Sequence, residues 1–280
     1  MKAAAIGTCF LTVVAAVALA ICPSASKVEQ TITSNPPQFF HGAPGRRAPG
    51  RNAFIDGVTS VKYYNWGGYA VTGTNFTDAK GSWIVPTVNC AKSPNAWVVF
   101  WVGIDGFSNS TVEQIGTLTW CNRTTAQYYT WYEFYPAIPI TYISTVTSSP
   151  GDKISAEVHY NGSEFTLTLT DETTGKKFTI TQADSSAQRA SAEWIAEAPS
   201  ANCCGYLNLA DFTKVSFGND YTAISGTNTA KDSATSGTIS AFGSAINKIT
   251  QVDDTLYIES TTSALSTDGS SFQTTWKEYN

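Results

Sequence analysis

The sequence predicts an all-β fold, an antiparallel double-sheet β-sandwich of the concanavalin-like or jelly-roll type. Segments rich in aromatic and β-branched residues recur along the chain, Gly, Asn, Asp, Ser and Pro separate them, and helical periodicity is hard to find between them. The 280 residues, less an N-terminal leader, suit one larger all-β domain. No repeat at solenoid or propeller periods is evident.

Met1-Lys2, an apolar run through Ala20 and the small residues of Pro23-Ser24-Ala25-Ser26 follow the order of a secretory signal peptide, so residues 1–26 are expected to be removed and the protein secreted. A membrane span fits less well, because the run is short and contains Gly7 and Thr12. Ile21 stands where a lipoprotein signal needs a small residue before Cys22. Residues 27–56 carry Pro36-Pro37, Pro44 and Pro49 together with Arg46, Arg47 and Arg51, three of the five arginines. Their composition fits a flexible linker or a propeptide whose basic groups neutralise an acidic domain, and the position between leader and globular region favours the propeptide.

From Gly57 onward, residues 57–280 hold 12 basic and 20 acidic residues, a balance near −8. Such a surface argues against nucleic acid as a partner. Charged residues make up only 14% of the chain, so protonating carboxylates would break few ion pairs, which suits an acidic external medium. Cys90, Cys121, Cys203 and Cys204 remain after leader removal, and in a secreted chain disulfides are expected, with three complete pairings open. No metal site is expected, since Cys-x-x-Cys pairs are missing and only His159 could supply imidazole. Asn75, Asn109, Asn122 and Asn161 begin glycosylation sequons.

Strand signals fall at 96–104, 126–135, 153–160, 164–170, 177–182, 190–196, 214–218, 255–260 and 271–277. Asn161-Gly162 and Thr174-Gly175 read as tight hairpin turns, and 225–238 as a surface loop. In 153–160, Ile154, Ala156, Val158 and Tyr160 face one way and Ser155, Glu157 and His159 the other, which puts His159 on the solvent side.

With two histidines in the chain, chemistry must rest on carboxyl and amide groups. Trp97, Val99, Trp101, Gly103 and Asp105 share a strand face, as do Tyr129, Trp131, Glu133 and Tyr135. Each row ends aromatic walls on a carboxyl group, a pattern suited to a groove for an extended polymer, although ordinary strand aromatics with an edge acid would read the same way. Gln114 lies in register with Val112, Gly116 and Leu118, a polar amide on the more apolar face of its strand. Counting alone favours a structural amide bonded to backbone. Glu193 alternates with Ala192 and Trp194 and falls with Ser191, Ile195 and Glu197, where an isolated glutamate is usually just exposed.

Five motifs then occur in a specific order: NWGGYAV (65–71), FWVGIDG (100–106), EQIGT (113–117), WYEFYP (131–136) and AEWIAE (192–197). In that order they resemble the glutamic peptidases, or eqolisins, from about residue 64 to the C-terminus. The resemblance implies a double-sheet β-sandwich and an acid-acting endopeptidase with no metal or cofactor. By motif match it puts the catalytic glutamine at Gln114 and the catalytic glutamate at Glu193, with Trp101, Asp105 and Glu133 lining the cleft. It implies protein or peptide substrates, no nucleic acid, no membrane after leader removal, and a monomer. Ile115 departs from the threonine of the family's glutamine motif, and Cys203-Cys204 depart from its cysteine positions. The competing readings are a β-sandwich glycosidase with paired carboxylates such as Glu133 and Glu193, or a carbohydrate-binding module, neither of which requires the amide of Gln114.

Overall fold

Alternating side chains build this molecule from strands that show one face to a common core. Lys153–Tyr160 is the plainest case: Ile154, Ala156 and Val158 are buried while the residues between them are half-exposed. It pairs antiparallel with Phe165–Asp171 on one side and Asp78–Ile84 on the other. The structure is a computed structural model that describes residues 40–41, 44–201 and 205–277, all within the unit Pro37–Asn280. The expected signal peptide and Cys203-Cys204 lie outside the described residues.

Two layers result. The first runs Ile138–Tyr142, Thr125–Tyr135, Val112–Asn122, Trp97–Ile104, Ser191–Glu197, Trp66–Thr72 and Ile246–Val252, each antiparallel to the next. Val58–Tyr63 then joins Ile246–Val252 in parallel. The second layer runs Lys176–Gln182, Phe165–Asp171, Lys153–Tyr160, Asp78–Ile84, Lys214–Phe217, Phe272–Trp276 and Ile258–Thr262. Ile258–Thr262 also pairs with the end of Ile246–Val252, so the layers join at one edge.

The main core lies between the layers and includes Phe100, Val102, Phe134 and Trp194 from the first, and Trp83, Val158, Leu167 and Phe217 from the second. A second apolar cluster, with Tyr63, Trp66, Val99, Trp101, Leu118 and Trp131, occupies the other face of the first layer. Trp97–Ile104 and Ser191–Glu197 are therefore buried at every residue rather than at every second one. Two indoles bind across the layers: Trp194 Nε1 donates to the Lys80 carbonyl at 2.7 Å, and Trp83 Nε1 to Thr117 Oγ1 at 3.0 Å.

The expected strand boundaries hold to within a residue or so except at 255–260, where the strand is Ile258–Thr262 and the preceding residues turn around Asp253. Asn161-Gly162 opens a four-residue loop rather than a two-residue turn, because Asn161 Oδ1 accepts from the backbone of both Ser163 and Glu164. The 225–238 segment is not a plain loop: Thr229–Lys231 pairs with Ser236–Thr238 and with Asp78–Ile84. A two-residue hairpin that the strand reading did not include lies at Asp56-Gly57, where φ of 52° and 80° suits a type I′ turn joining Ala53–Ile55 to Val58–Tyr63. Cys90 and Cys121 form a disulfide.

Trp194 fills the core and ties the layers with one hydrogen bond, so its removal combines lost burial, a cavity and an unbonded carbonyl. Trp194→Ala is expected to cost about 3–5 kcal/mol of unfolding free energy, read as a lower midpoint in urea denaturation.

Candidate active site

The face of the first layer turned away from the second carries the polar residues of interest. Strand parity sends Ser191, Glu193, Ile195 and Glu197 to this face, with Trp101 and Gly103, Gln114 and Gly116, and Trp131 and Glu133 from the neighbouring strands. The register aligns them in a row: Glu193 lies opposite Ala70 on one side and Gly103 on the other, Gly103 opposite Gln114, and Gln114 opposite Glu133. Two strand spacings, roughly 10 Å in all, separate Glu193 from Gln114, and the residue between them has no side chain. A Cβ at Gly103 would lie 2.9 Å from Trp101 Cζ3 and 3.2 Å from Gln114 Cβ. Glycine at 103 thus makes room for the edge of the Trp101 indole between Glu193 and Gln114.

Aromatic rings pack on this face. Trp66 and Trp101 meet edge to face with centroids 5.0 Å apart, and Tyr63 stacks on Phe107 at 5.2 Å while donating its hydroxyl to the Phe107 carbonyl at 2.8 Å. Trp101 sits close to its neighbouring strand because residue 116 is glycine, whose Cβ would fall 2.1 Å from the Phe100 carbonyl oxygen and 2.7 Å from Trp101 Cβ. The two aromatic rows expected from the sequence lie side by side on one face of the first layer and share one apolar cluster.

Each sequence-designated residue is fully buried here: Trp101, Asp105, Gln114, Glu133 and Glu193. Gln114 Nε2 donates to Glu133 Oε2 at 2.8 Å, which fixes the amide relative to the row. Asp105 sits at φ 73°, just beyond the strand, and its carboxylate accepts the backbone N–H groups of Gln188, Arg189 and Ala190 at 2.8, 2.6 and 2.7 Å. Asn109 Nδ2 adds a bond at 2.6 Å. Asp105 thus binds two loops at one end of the cleft, the second leading directly into the strand that carries Glu193. Sequence counting placed Asp105 on the aromatic row but had no signal for this backbone capture.

Glu193 lies deep in the sheet, and neither carboxyl oxygen has a hydrogen-bond partner of ordinary geometry among the described residues. Burial raises its pKa well above the usual carboxylate range; the Ser191 hydroxyl nearby favours ionisation, while Asp105 and Glu113 oppose it. Burial likewise raises Glu197, against the opposing bonds from Trp101 and Asn65, and Glu113, where Asp105 and Asp184 add to the effect. Glu197 received no role from the sequence, although its parity with Glu193 was legible; it accepts from Trp101 Nε1 at 2.7 Å and from Asn65 Nδ2 at 3.4 Å.

Part of the basic N-terminal segment crosses this face. Phe40–His41 pairs with Ser200–Ala201, Gly45 donates its N–H to the Gly106 carbonyl at 2.9 Å, and Arg47 bridges to Tyr63. Gly45 lies directly on the rings of Trp66 and Tyr63, where a Cβ would come within 2.7 Å of each. Burial raises the Tyr63 pKa, with Arg47 lowering and Glu193 raising it, so this ring sits between the basic segment and the buried acid.

Among the described residues, Asp78, Glu157 and His159 bring metal-ligand atoms within 4.8 Å of one another, but they sit on the second sheet. There His159 Nδ1 is 2.8 Å from Asp78 Oδ1, and Lys80 Nζ is 3.1 Å from Glu157. Those contacts account for all three side chains. No helix among the described residues is long and apolar enough to cross a membrane.

Fold and site define a mainly antiparallel β-sandwich with buried acids, an amide and aromatic rings gathered on one sheet face. The model of the Peptidase A4 family matches residues 64–271, and the chain belongs to that family, the eqolisins; it is a glutamic endopeptidase. Among solved structures it is similar to scytalido-glutamic peptidase with a transition state analog inhibitor, at 23% identity and TM-score 0.63, covering 76% of this chain and 98% of that one. It is also similar to SCP-B, an eqolisin in a complex with the tripeptide Ala-Ile-His, at 22% identity and TM-score 0.60 over 76% of this chain and 98% of that one. Aspergilloglutamic peptidase from Aspergillus niger matches at 24% identity and TM-score 0.54, over 65% of this chain and 99% of that one. No curated protein sequence matches the chain. Family membership leaves the glycosidase and carbohydrate-binding readings without a supporting observation.

The buried acids set the pH dependence of stability. Glu113, Glu193 and Glu197 have native pKa values above that of an unfolded glutamate, about 4.3, and burial, with Asp253 and Asp254, pushes Glu259 up to about 7. Between the unfolded and native values the folded chain binds more protons, so stability is full below the unfolded value and falls as pH rises through the native ones. Asp268 runs the other way: burial would raise it, but bonds from Ser271 and Ser270 outweigh that and hold it well below its usual range, so its contribution is lost progressively as pH falls below the unfolded aspartate value, about 3.9. The thermal midpoint of the full chain is expected to fall by several degrees between about pH 4 and neutrality; an unchanged or rising midpoint in calorimetry would contradict this.

Proposed function

We propose that the protein is a secreted, acid-acting endopeptidase that works through a glutamate/glutamine dyad without metal or cofactor. The observation that carries this reading is the row Glu193, Gly103, Gln114, an acid and an amide on either side of a residue without a side chain. In the reaction, the Glu193 carboxylate takes a proton from a water between it and Gln114, and the water oxygen attacks the scissile carbonyl carbon. The oxyanion of the tetrahedral intermediate accepts a hydrogen bond from Gln114 Nε2, whose amide Glu133 orients. The Glu193 carboxylic acid then gives its proton to the leaving nitrogen as the C–N bond breaks. A positioned base contributes roughly 10²–10⁴-fold and one oxyanion donor about 10²–10³-fold. An amide suits acid because it stays neutral and keeps donating.

Trp101 and Glu133 are assigned to the substrate cleft, Trp101 as an aromatic wall and Glu133 through Gln114; Asp105 borders the cleft through the loops it binds. Residues 1–26 are assigned as a signal peptide and 27–56 as a propeptide. The packing of Gly45 on Trp66 and Tyr63 supports this, since a substrate reaching those rings must displace it. While the segment is in place burial keeps the Glu193 proton on; its departure admits water, which solvates the carboxyl and lets it ionise. Activity is then lost at low pH as Glu193 is protonated and at high pH as a required proton is lost.

Hydrolysis of an acid-denatured protein near pH 3–4 tests the dyad. Glu193→Gln is expected to lose roughly 10²–10⁴-fold in kcat and Gln114→Ala about 10²–10³-fold, both with circular dichroism like that of wild type. Activity that survives both substitutions, or that climbs through neutral pH, would sink the mechanism. A protein beginning at Gly57 is expected to turn over substrate without the lag of one that retains residues 27–56, and an equal lag in both would remove the propeptide assignment.

A further inference from the structure

The AEWIAE segment carries a second buried acid that the hydrolytic scheme leaves unused. Glu197 lies two positions beyond Ile195 and four beyond Glu193 on the same face, opposite Trp66 on one side and Val99 on the other. It is fully buried. Its Oε2 accepts the indole N–H of Trp101 at 2.7 Å, and its Oε1 accepts from Asn65 Nδ2 at 3.4 Å. Trp66 packs edge to face on the same indole, its ring centroid 5.0 Å from that of Trp101.

The indole has two ends. The pyrrole end, with Nε1, is held by Glu197; the benzene end reaches along its own strand to residue 103, where Cζ3 lies 2.9 Å from the point a Cβ would occupy. Trp101 therefore floors the space between Glu193 and Gln114, and the hydrogen bond at its far end fixes the tilt of that floor. A ring free to rotate about its Cα–Cβ and Cβ–Cγ bonds would intrude on the seat of the scissile bond or withdraw from it. Displacements of about 1 Å in such a seat cost on the order of 10²-fold in rate.

We propose that Glu197 is a positioning residue for peptide hydrolysis, acting through Trp101 to fix the floor of the gap between Glu193 and Gln114. The inference rests on the dyad reading and deepens it. Glu197 touches no reacting atom and donates no proton to substrate; its acceptor oxygen is the working feature. Burial, with Glu133 nearby, holds its carboxyl protonated in acid, so a glutamine amide reproduces its shape, its neutrality and its acceptor.

The test is a set of steady-state measurements on the activated enzyme. Wild type and Glu193→Gln come first: if Glu193→Gln retains wild-type kcat the dyad reading fails, independently of Glu197. With the dyad upheld, Glu197→Ala is expected to lower kcat roughly ten- to a hundredfold with KM changed by less than about threefold, because the ring loses its orientation while the cleft still binds peptide. Glu197→Gln is expected to keep at least about a third of wild-type kcat through its acceptor oxygen. Trp101→Phe removes the N–H and should lower kcat to a similar extent, and adding Glu197→Gln or Glu197→Ala to it should then change little, since interacting residues are non-additive. Where Glu197→Ala does not fold, Trp101→Phe and its combination with Glu197→Gln carry the test. Wild-type kcat in folded Glu197→Ala or in Trp101→Phe, or fully additive losses in the double variants, would overturn the proposal.

Discussion

The structure depends on one steric constraint, the strand register that puts a residue without a side chain between an acid and an amide. Strands Ser191–Glu197, Trp97–Ile104 and Val112–Asn122 pair without a bulge, so Glu193, Gly103 and Gln114 fall in one row. A slip of one residue on any of the three would turn its side chains to the opposite face. Register is specified here by the core beneath: Ala192, Trp194, Val102 and Ile115 must all face the second sheet for the site row to face away from it. The same packing that stabilises the sandwich therefore aims the functional groups.

Putting that row on a covered face has an electrostatic consequence. Carboxyl groups at 193 and 197 on that face, and at 113 on the other face of the same sheet, are removed from water with no cation among the causes that shift them, and each is driven toward its neutral form. In a neutral medium that would be a standing cost to the fold; in acid the same groups are uncharged in the unfolded chain too, and the cost largely disappears. Among the described residues, the Lys80–Glu157 and Lys92–Asp211 pairs each have a well-exposed lysine, so little stability depends on those two pairs.

Much of this was legible in the sequence, and the parts that were not share a cause. Period-2 counting found the aromatic rows of Trp101 and Trp131 and set Glu193 and Glu197 on one face, because alternation is a local property. Counting could not tell an exposed Glu193 from a buried one, since burial depends on what packs over the face and not on alternation along the strand. Ordered motifs supplied what parity lacked for Gln114. Asp105 was placed correctly on its strand, but its capture of the Gln188, Arg189 and Ala190 amides joins residues more than 80 positions apart and leaves no pattern in either segment. The Asp56-Gly57 turn was legible in principle, as a strong hairpin dipeptide, and was obscured by the linker-like composition around it.

That turn bears on how the N-terminal segment could ever leave. Exposed Asp56 and half-buried Gly57 form the tip of a hairpin whose arms, Ala53–Ile55 and Val58–Tyr63, stay joined by ladder hydrogen bonds. Cutting the tip would sever the chain without separating the arms, and the segment would persist as a bound peptide, held also by Gly45 at Gly106 and Ala48 at Lys62. Its residence would then be a matter of affinity and dilution rather than of bond cleavage. A nicked molecule and a vacated one would be different species, distinguishable by mass only after the peptide has dissociated.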